Sequence, residues 1–277
     1  MALSVVDLYR DILPKTNCQE CGFATCIAFA GMVVSEQLPL KTCPHLPAEV
    51  VARCNRELEQ QYAAGKWTKR DLADDALAWA RERSASMRIA DLPARIGGSL
   101  TDRGDGQALR LPYFTSAILI DDQDIVRSDG ATLTRWEKVF IYNHMAQGGI
   151  RAPTGLWKGF EEFPNTVSKV KTMASQVEIP LVSCFGGRRD SLIASAEAVG
   201  GRKARQGSHS ADVAFYFHPL PRVPVMLLFW DEDPEDGFKA TAKLLFDETI
   251  TDHLDIESIL FLSERLRQML CDAAAAP

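Results

Sequence analysis

Four cysteines near the start of the chain have the residue type and spacing of a metal-cluster site. Cys18 and Cys21 are separated by two residues, Cys26 follows after four more, and Cys43 stands directly before a proline. A short loop can bring the first two thiolates towards a third on the following helix, and Gly22 lets the backbone approach an inorganic core. A distant cysteine before a proline commonly supplies the fourth thiolate of a cubane. The pattern therefore predicts a [4Fe–4S] site.

Other uses of cysteine fit this spacing less well. Structural zinc usually takes two similar Cys-x-x-Cys knuckles, whereas the second half here is a lone Cys-Pro. A disulfide framework suits a small secreted domain, and no secretory signal is recognisable. A thioredoxin-like motif needs a preceding strand, but the residues before Cys18 have a helical pattern. Zinc remains the main alternative.

Helices must position these thiolates. The apolar spacing predicts a short helix over residues 4–12, a second over 24–36 that carries Cys26, and a third from Pro47 to about Tyr62. The loop of residues 13–23 holds the first two cysteines. We therefore predict a helical cluster-binding domain over residues 1–64, followed by a linker helix over 65–96 that buries Trp79.

The sequence of residues 97–277 predicts a larger domain that contains helices and an antiparallel sheet. Together with the helical first domain, this makes the predicted fold class α+β. Residues 97–106 are predicted to form a loop, and Thr134 with Glu137 has the spacing of a helix capping box. Three apolar runs separated by turns predict an antiparallel meander, and a last helix is expected before a disordered AAAAP tail. The three runs are residues 212–217, 223–230 and 239–246.

A second candidate site lies in this larger domain. Two glycines precede Arg188 and Arg189 at a predicted helix start, where free amides and guanidinium groups favour an anion such as a corrinoid propionate or phosphate. A solvated basic turn is the simpler alternative. Four histidines are also of the type that ligates a tetrapyrrole metal, and of these we group His209 and His218 with the arginines. They are His144, His209, His218 and His253.

The cysteine region resembles the small N-terminal iron–sulfur domain of the large subunit of the corrinoid iron–sulfur protein. The resemblance covers about the first fifth of the chain and implies that the domain passes an electron to a corrinoid. Independently of it, the position of His45 beside Cys43-Pro44 predicts that it tunes the cluster by a hydrogen bond rather than ligating it. The rest lacks that family's corrinoid-ligand motif. The matching positions are Leu13-Pro14, Asn17-Cys18, Cys21-Gly22, Cys26, Phe29-Ala30 and Cys43-Pro44.

Residues 207–258 resemble a bacterial and archaeal domain of unknown function that often follows this kind of iron–sulfur domain. The recognisable segments include Leu-Pro-Arg-Val-Pro at 220–224 and Leu-Phe-Asp at 245–247, with His253-Leu254 downstream. This resemblance identifies relatives but implies no activity.

Composition sets further limits. The net charge of −6 argues against nucleic acid as the partner, and no apolar run is long enough to span a bilayer. Unpaired cysteines favour a cytoplasmic protein. Two function classes remain: a low-potential one-electron carrier for a redox or corrinoid protein partner, or a protein that holds a corrinoid or other tetrapyrrole next to its cluster. A structural cluster that only stabilises the helical domain is a third, simpler possibility. The sequence nominates no catalytic nucleophile, so an electron-transfer or binding role is favoured over catalysis.

Overall fold

The computed structural model describes residues 3–65, 72–104, 106–204, 210–233, 235 and 237–275. The chain divides into two compact units, Met1–Asp75 and Ala76–Pro277. The first is helical and the second combines helices with antiparallel sheets, so the fold class is α+β. Within the described ranges, no helix combines the length and apolarity needed to cross a membrane. The domain limits expected from the sequence stay a prediction.

Short polar sequences begin the helices of the first unit. The Ser4 side chain accepts a hydrogen bond from the Asp7 amide and donates one to the Asp7 carboxylate, which starts the first helix. Thr25 caps the second helix by accepting the Ala28 amide. The helices are α1 (Val5–Asp7, continued by a π-helical turn at Leu8–Ile12), α2 (Cys26–Ser35) and α3 (Ala48–Ala63), with a 3-10 turn at Leu40–Thr42.

A small apolar core joins these helices. Leu8, Phe29 and Leu40 are almost fully buried in it, and the Tyr62 hydroxyl donates a hydrogen bond of 2.7 Å to the Val33 carbonyl. This contact ties the end of α3 to the end of α2. The core therefore fixes α2, which the loop with Cys18 and Cys21 enters, and α3, which follows the segment that carries Cys43.

Two antiparallel sheets form the second unit. Four strands lie in the order β1–β2–β3–β4, and five in the order β5–β9–β8–β7–β6. The predicted meander is present as β7, β8 and β9, and short edge strands extend it on both sides. The strands are β1 (Ser99–Arg103), β2 (Gly106–Tyr113), β3 (Ser116–Ile120), β4 (Ile125–Arg127), β5 (Trp157–Gly159), β6 (Arg202–Lys203), β7 (Val213–Leu220), β8 (Val223–Trp230) and β9 (Thr241–Asp247).

Helices cover one face of the five-stranded sheet. Phe215 and Phe217 of β7 alternate with more exposed residues and are buried, which is the pattern of a strand with one covered face. Helix α9 packs on β7 and α8 packs on β9. The helices that follow α3 along the chain are α4 (Leu72–Ser84), α5 (Leu92–Ile96), α6 (Arg135–Gln147), α7 (Val170–Met173, continued by a π-helical turn at Ala174–Glu178), α8 (Ile179–Phe185), α9 (Arg189–Ala198), α10 (Ile250–His253) and α11 (Ile256–Ala275).

Three expectations from the sequence are wrong. Most of the predicted loop at residues 97–106 is strand β1, which pairs with β2 from Ser99↔Arg110 onwards. Trp79 is 75% exposed rather than buried, because α4 turns Ala80 inwards instead. The predicted tail is helical as far as Ala275, since alanine has the highest helix propensity and simply extends α11.

Candidate metal centre

All four cysteines of the motif meet in the first unit. Cys26 is the first residue of α2, and Cys43 follows the 3-10 turn, so the helices deliver these two thiols to the loop that carries Cys18 and Cys21. The other three thiols lie close enough to raise the pKa of Cys43 by charge repulsion, in addition to the larger effect of its burial. Cys26 and Cys43 are buried, Cys21 is half-buried and Cys18 is exposed. The site therefore has a covered side and an open side.

The backbone of the loop has an unusual conformation. Lys15, Asn17 and Gln19 have φ angles of 60°, 50° and 66°, and Gly22 has 84°. Non-glycine residues seldom adopt positive φ, and they concentrate at functional sites. One amide of this loop, that of Glu20, donates to the Cys18 sulfur. An amide donor beside a thiolate suits a negatively charged core.

Asn17 connects the loop to the helix that carries the third cysteine. Its side-chain Oδ1 accepts the Cys26 amide at a distance of 2.8 Å. Asparagine is also among the residues that tolerate left-handed φ most readily. The sequence indicates this role of Asn17 only through its position directly before Cys18.

Cys18 has polar neighbours that stabilise its thiolate. The pKa of Cys18 is lowered first by the Glu20 backbone amide, then by the Thr16 side chain and the His45 imidazole. His45 in turn has a raised pKa, chiefly because it donates to the Cys18 sulfur and lies beside the Glu20 carboxylate. The distance from His45 Nε2 to Glu20 Oε2 is 3.2 Å. Glu20, which the sequence analysis overlooked, therefore holds the imidazole against the exposed thiol.

The spacing of the sulfurs distinguishes between metal centres. Four thiolates on one zinc ion at about 2.3 Å would lie about 3.8 Å from one another in a tetrahedron. Among the described residues, no three of the four cysteine sulfurs fall within 4.8 Å of one another. The thiols converge, yet they stay farther apart than a single zinc ion requires. This spacing suits a core of several atoms.

The second candidate site is divided in the structure. Arg188 occupies the N-cap position of α9 without a side-chain capping hydrogen bond, and the Gly187 amide beside it donates a hydrogen bond of 2.8 Å to the Asp231 carboxylate. His218 instead lines a cavity of about 280 Å³ with Val199 and Gly200, at the other end of α9. A helix of ten residues is about 15 Å long. Arg188 and Arg189 therefore do not share a pocket with His218, and His209 lies outside the described residues.

Two other histidines form a buried pair. The rings of His144 and His253 lie 6.1 Å apart, and His144 Nδ1 contacts the His253 carbonyl at 3.0 Å. Desolvation lowers the pKa of His144 to about 4. The His144 ring links α6 to the His253 carbonyl at the end of α10, and His253 Nε2 is 2.9 Å from the Arg151 carbonyl. The geometry is that of a structural connection between helices.

Asp247 gives the Leu-Phe-Asp segment at residues 245–247 a structural role in the second unit. Its carboxylate is fully buried and accepts the amides of Gly155 and Thr249 at 2.6 and 3.1 Å. It also accepts the Thr249 hydroxyl at 2.7 Å. The Leu-Phe-Asp segment therefore fixes the turn after β9 and the loop before β5.

Comparison with protein families gives two matches. The family described as "Domain of unknown function (DUF3786)" matches residues 88–269, and the family described as "Putative Fe-S cluster" matches residues 13–45. The first match covers more than half of the chain. The chain therefore belongs to the DUF3786 family, and it carries an iron–sulfur-type domain at the four cysteines.

Several curated proteins are similar to parts of the chain. The acetyl-CoA decarbonylase/synthase complex subunit gamma 2 of Methanosarcina thermophila is 27% identical over 189 residues, which are 65% of this chain and 35% of that protein. The corrinoid/iron-sulfur protein large subunit of Moorella thermoacetica is 44% identical over 46 residues, 17% of this chain and 10% of that protein. The subunit gamma of Methanothermobacter thermautotrophicus is 41% identical over 49 residues, 18% of this chain and 10% of that protein.

The chain spans between a tenth and about a third of the length of these relatives. No solved structure matches it.

Proposed function

We propose that Cys18, Cys21, Cys26 and Cys43 hold a [4Fe–4S] cluster and that the protein carries single electrons at low potential. The observation that carries the proposal is the convergence of four thiols at a spacing wider than a zinc ion needs. The Glu20 amide, which donates to the Cys18 sulfur, adds a donor that favours a negative core. When bound, such a cluster exchanges one electron at a potential set by burial and by hydrogen bonds to its sulfurs.

The residues around the proposed cluster give it one side that is buried in the protein and one side that faces solvent, where electrons could be exchanged. Cys26 and Cys43 lie in the apolar core with Phe29 and Leu40, which excludes water behind the site. Cys18 faces solvent. An electron partner therefore reaches the Cys18 side without any unfolding of the helical unit.

A corrinoid or methyl-transfer protein is the partner we propose. Relatives of the N-terminal region are named as a corrinoid/iron-sulfur protein and as subunits of acetyl-CoA decarbonylase/synthase. Residues 1–60 contain seven acidic and five basic groups, and a four-thiolate cluster adds further negative charge. Complementary charge favours docking on a basic surface of the partner.

A second candidate function is the binding of a tetrapyrrole or corrinoid by the larger unit. The observation in its favour is the cavity at His218, which also contains Arg202 and two phenylalanines. Its volume of about 280 Å³ lies just below the usual range for ligand pockets, about 300–1,000 Å³. This size suits a small anion better than a macrocycle, so we favour the electron carrier.

Substitution of one buried thiol tests the proposal against a matched control. Cys26→Ala should abolish the visible absorbance and the bound iron, while the thermal unfolding of the larger unit is retained. Cys54→Ala is the control, because Cys54 is equally buried in the same unit but lies in α3, outside the motif. Equal loss of iron in both variants, or unchanged iron in Cys26→Ala, would contradict the ligand assignment.

A further inference from the structure

In the proposed cluster each cysteine binds one iron, and we call the surroundings of each cysteine a corner of the site. At the Cys18 corner, two other side chains with metal-binding atoms lie beside the cysteine. The ligand atoms of Cys18, Glu20 and His45 all lie within 4.8 Å of one another. In the part of the chain that the structure describes, this is the one group of three such side chains so close together. Imidazole and carboxylate groups both bind iron. Of the two, imidazole is the better ligand for an iron whose other protein ligands are thiolates.

The neighbouring side chains are free to move towards this corner. The side chains of His45 and Glu20 are 43% and 56% exposed, so neither is fixed by packing. The His45 ligand nitrogen lies within 4.8 Å of the Cys18 sulfur, and His45 Nε2 is 3.2 Å from Glu20 Oε2. Because both side chains are exposed, the imidazole can reorient beside Cys18 without repacking the apolar core.

The other three corners differ. Cys26 and Cys43 are surrounded by apolar side chains such as Phe29 and Leu40. Cys21 belongs to no comparable group of donors within the described residues. Among the described residues, these three thiolates therefore have no such group of imidazole and carboxylate donors beside them.

We propose that His45, positioned by Glu20, is a second protein ligand for the iron at the Cys18 corner and binds it when the Cys18 sulfur is removed. The inference rests on the cluster proposed above. It makes this corner chemically distinct from the other three. Because Cys18 is also the thiolate that reagents in solution reach first, the arrangement retains iron at the most vulnerable position.

Alanine variants of the full chain separate the corners. Cys18→Ala should retain about four irons per chain, whereas Cys21→Ala should retain three or none. The double variant Cys18→Ala/His45→Ala should behave like Cys21→Ala. In the reduced Cys18→Ala protein, pulsed EPR should detect a nitrogen coupling that the wild-type protein lacks.

Other results would overturn the inference. These are equal iron loss in Cys18→Ala and Cys21→Ala, a three-iron cluster in Cys18→Ala, or a double variant that retains four irons. Far-UV circular dichroism checks that each variant is folded, and His45→Ala alone should keep its cluster through Cys18. Iron content and Mössbauer spectra do not require reduction, so a wild-type cluster that cannot be reduced would contradict only the electron-carrier function.

Discussion

The amide of Cys26 donates a hydrogen bond of 2.8 Å to the side chain of Asn17, nine residues earlier in the chain. Cys26 is the first residue of α2, where amides have no partner within the helix. Asn17 satisfies this amide and adopts a left-handed φ of 50° directly before Cys18. One side chain thus fixes the distance between a loop cysteine and a helix cysteine, and the arrangement of the site depends on it.

Substitution of Asn17 should make the cluster labile. Asn17→Ala removes the acceptor and places an ordinary residue at positive φ, each at a cost of about 1 kcal/mol. We expect iron release at least about tenfold faster than in the wild-type protein, followed as the decay of visible absorbance in the presence of a chelator.

Two companion variants separate these effects. Asn17→Asp keeps both the acceptor and the tolerance for positive φ, so its cluster should persist. Asn17→Gly keeps only the φ and should give an intermediate rate. Identical rates for all three variants would show that Asn17 does not organise the site.

A buried carboxylate should stabilise the larger unit. Glu137 is 1% exposed, accepts the Tyr113 hydroxyl at 2.7 Å and lies 2.9 Å from Arg265 Nε. Glu137→Ala leaves the guanidinium without its partner, and we expect a loss of about 3–5 kcal/mol in the free energy of unfolding, measured with urea. Glu161→Ala is the control, because its pair with Lys243 is partly exposed, Lys243 keeps Glu178 as a second partner, and the pair should contribute at most about 1 kcal/mol. Similar losses in both variants would disagree with this account.

The buried histidine pair should make the larger unit sensitive to acid. Burial holds the pKa of His144 at about 4, below its ordinary value of 6.5, so only the unfolded chain binds a proton between these pH values. The contribution of His144 to the free energy of unfolding is complete above pH 6.5. About 3 kcal/mol of it is lost as the pH falls towards 4.

The measurement compares urea unfolding at pH 7 and pH 4.5 in the wild-type protein and in His144→Gln. The wild-type protein should lose more stability on acidification than the variant, because glutamine cannot titrate. An equal loss in both proteins would mean that His144 does not cause the acid sensitivity.

The sequence predicted elements wherever a local signal existed. Thr134 and Glu137 form the capping box that their spacing indicated, and the meander follows its apolar runs. Strand β1 was missed because residues 97–106 are polar and glycine-rich, and they become a strand only by pairing with β2. Trp79 was misplaced because its apolar character does not show which face of α4 is covered.

The candidate site, too, was predictable from the sequence only where its signals are local. The four cysteines were recognisable because their spacing is local, but the contact of Glu20 with His45 joins positions 25 residues apart in the chain. Cys184 and Cys271 lie 87 positions apart in the chain, yet the fold brings them together, and burial, followed by the neighbouring Cys184 thiol, raises the pKa of Cys271 to about 12. Such long-range contacts appear only in the folded chain.

Optical and EPR spectra of anaerobically purified protein, before and after dithionite, with iron and sulfide counted, test the central claim most directly. The account predicts about four irons and four sulfides per chain and a signal that appears on reduction and disappears on reoxidation. A colourless protein that holds one zinc ion would contradict it.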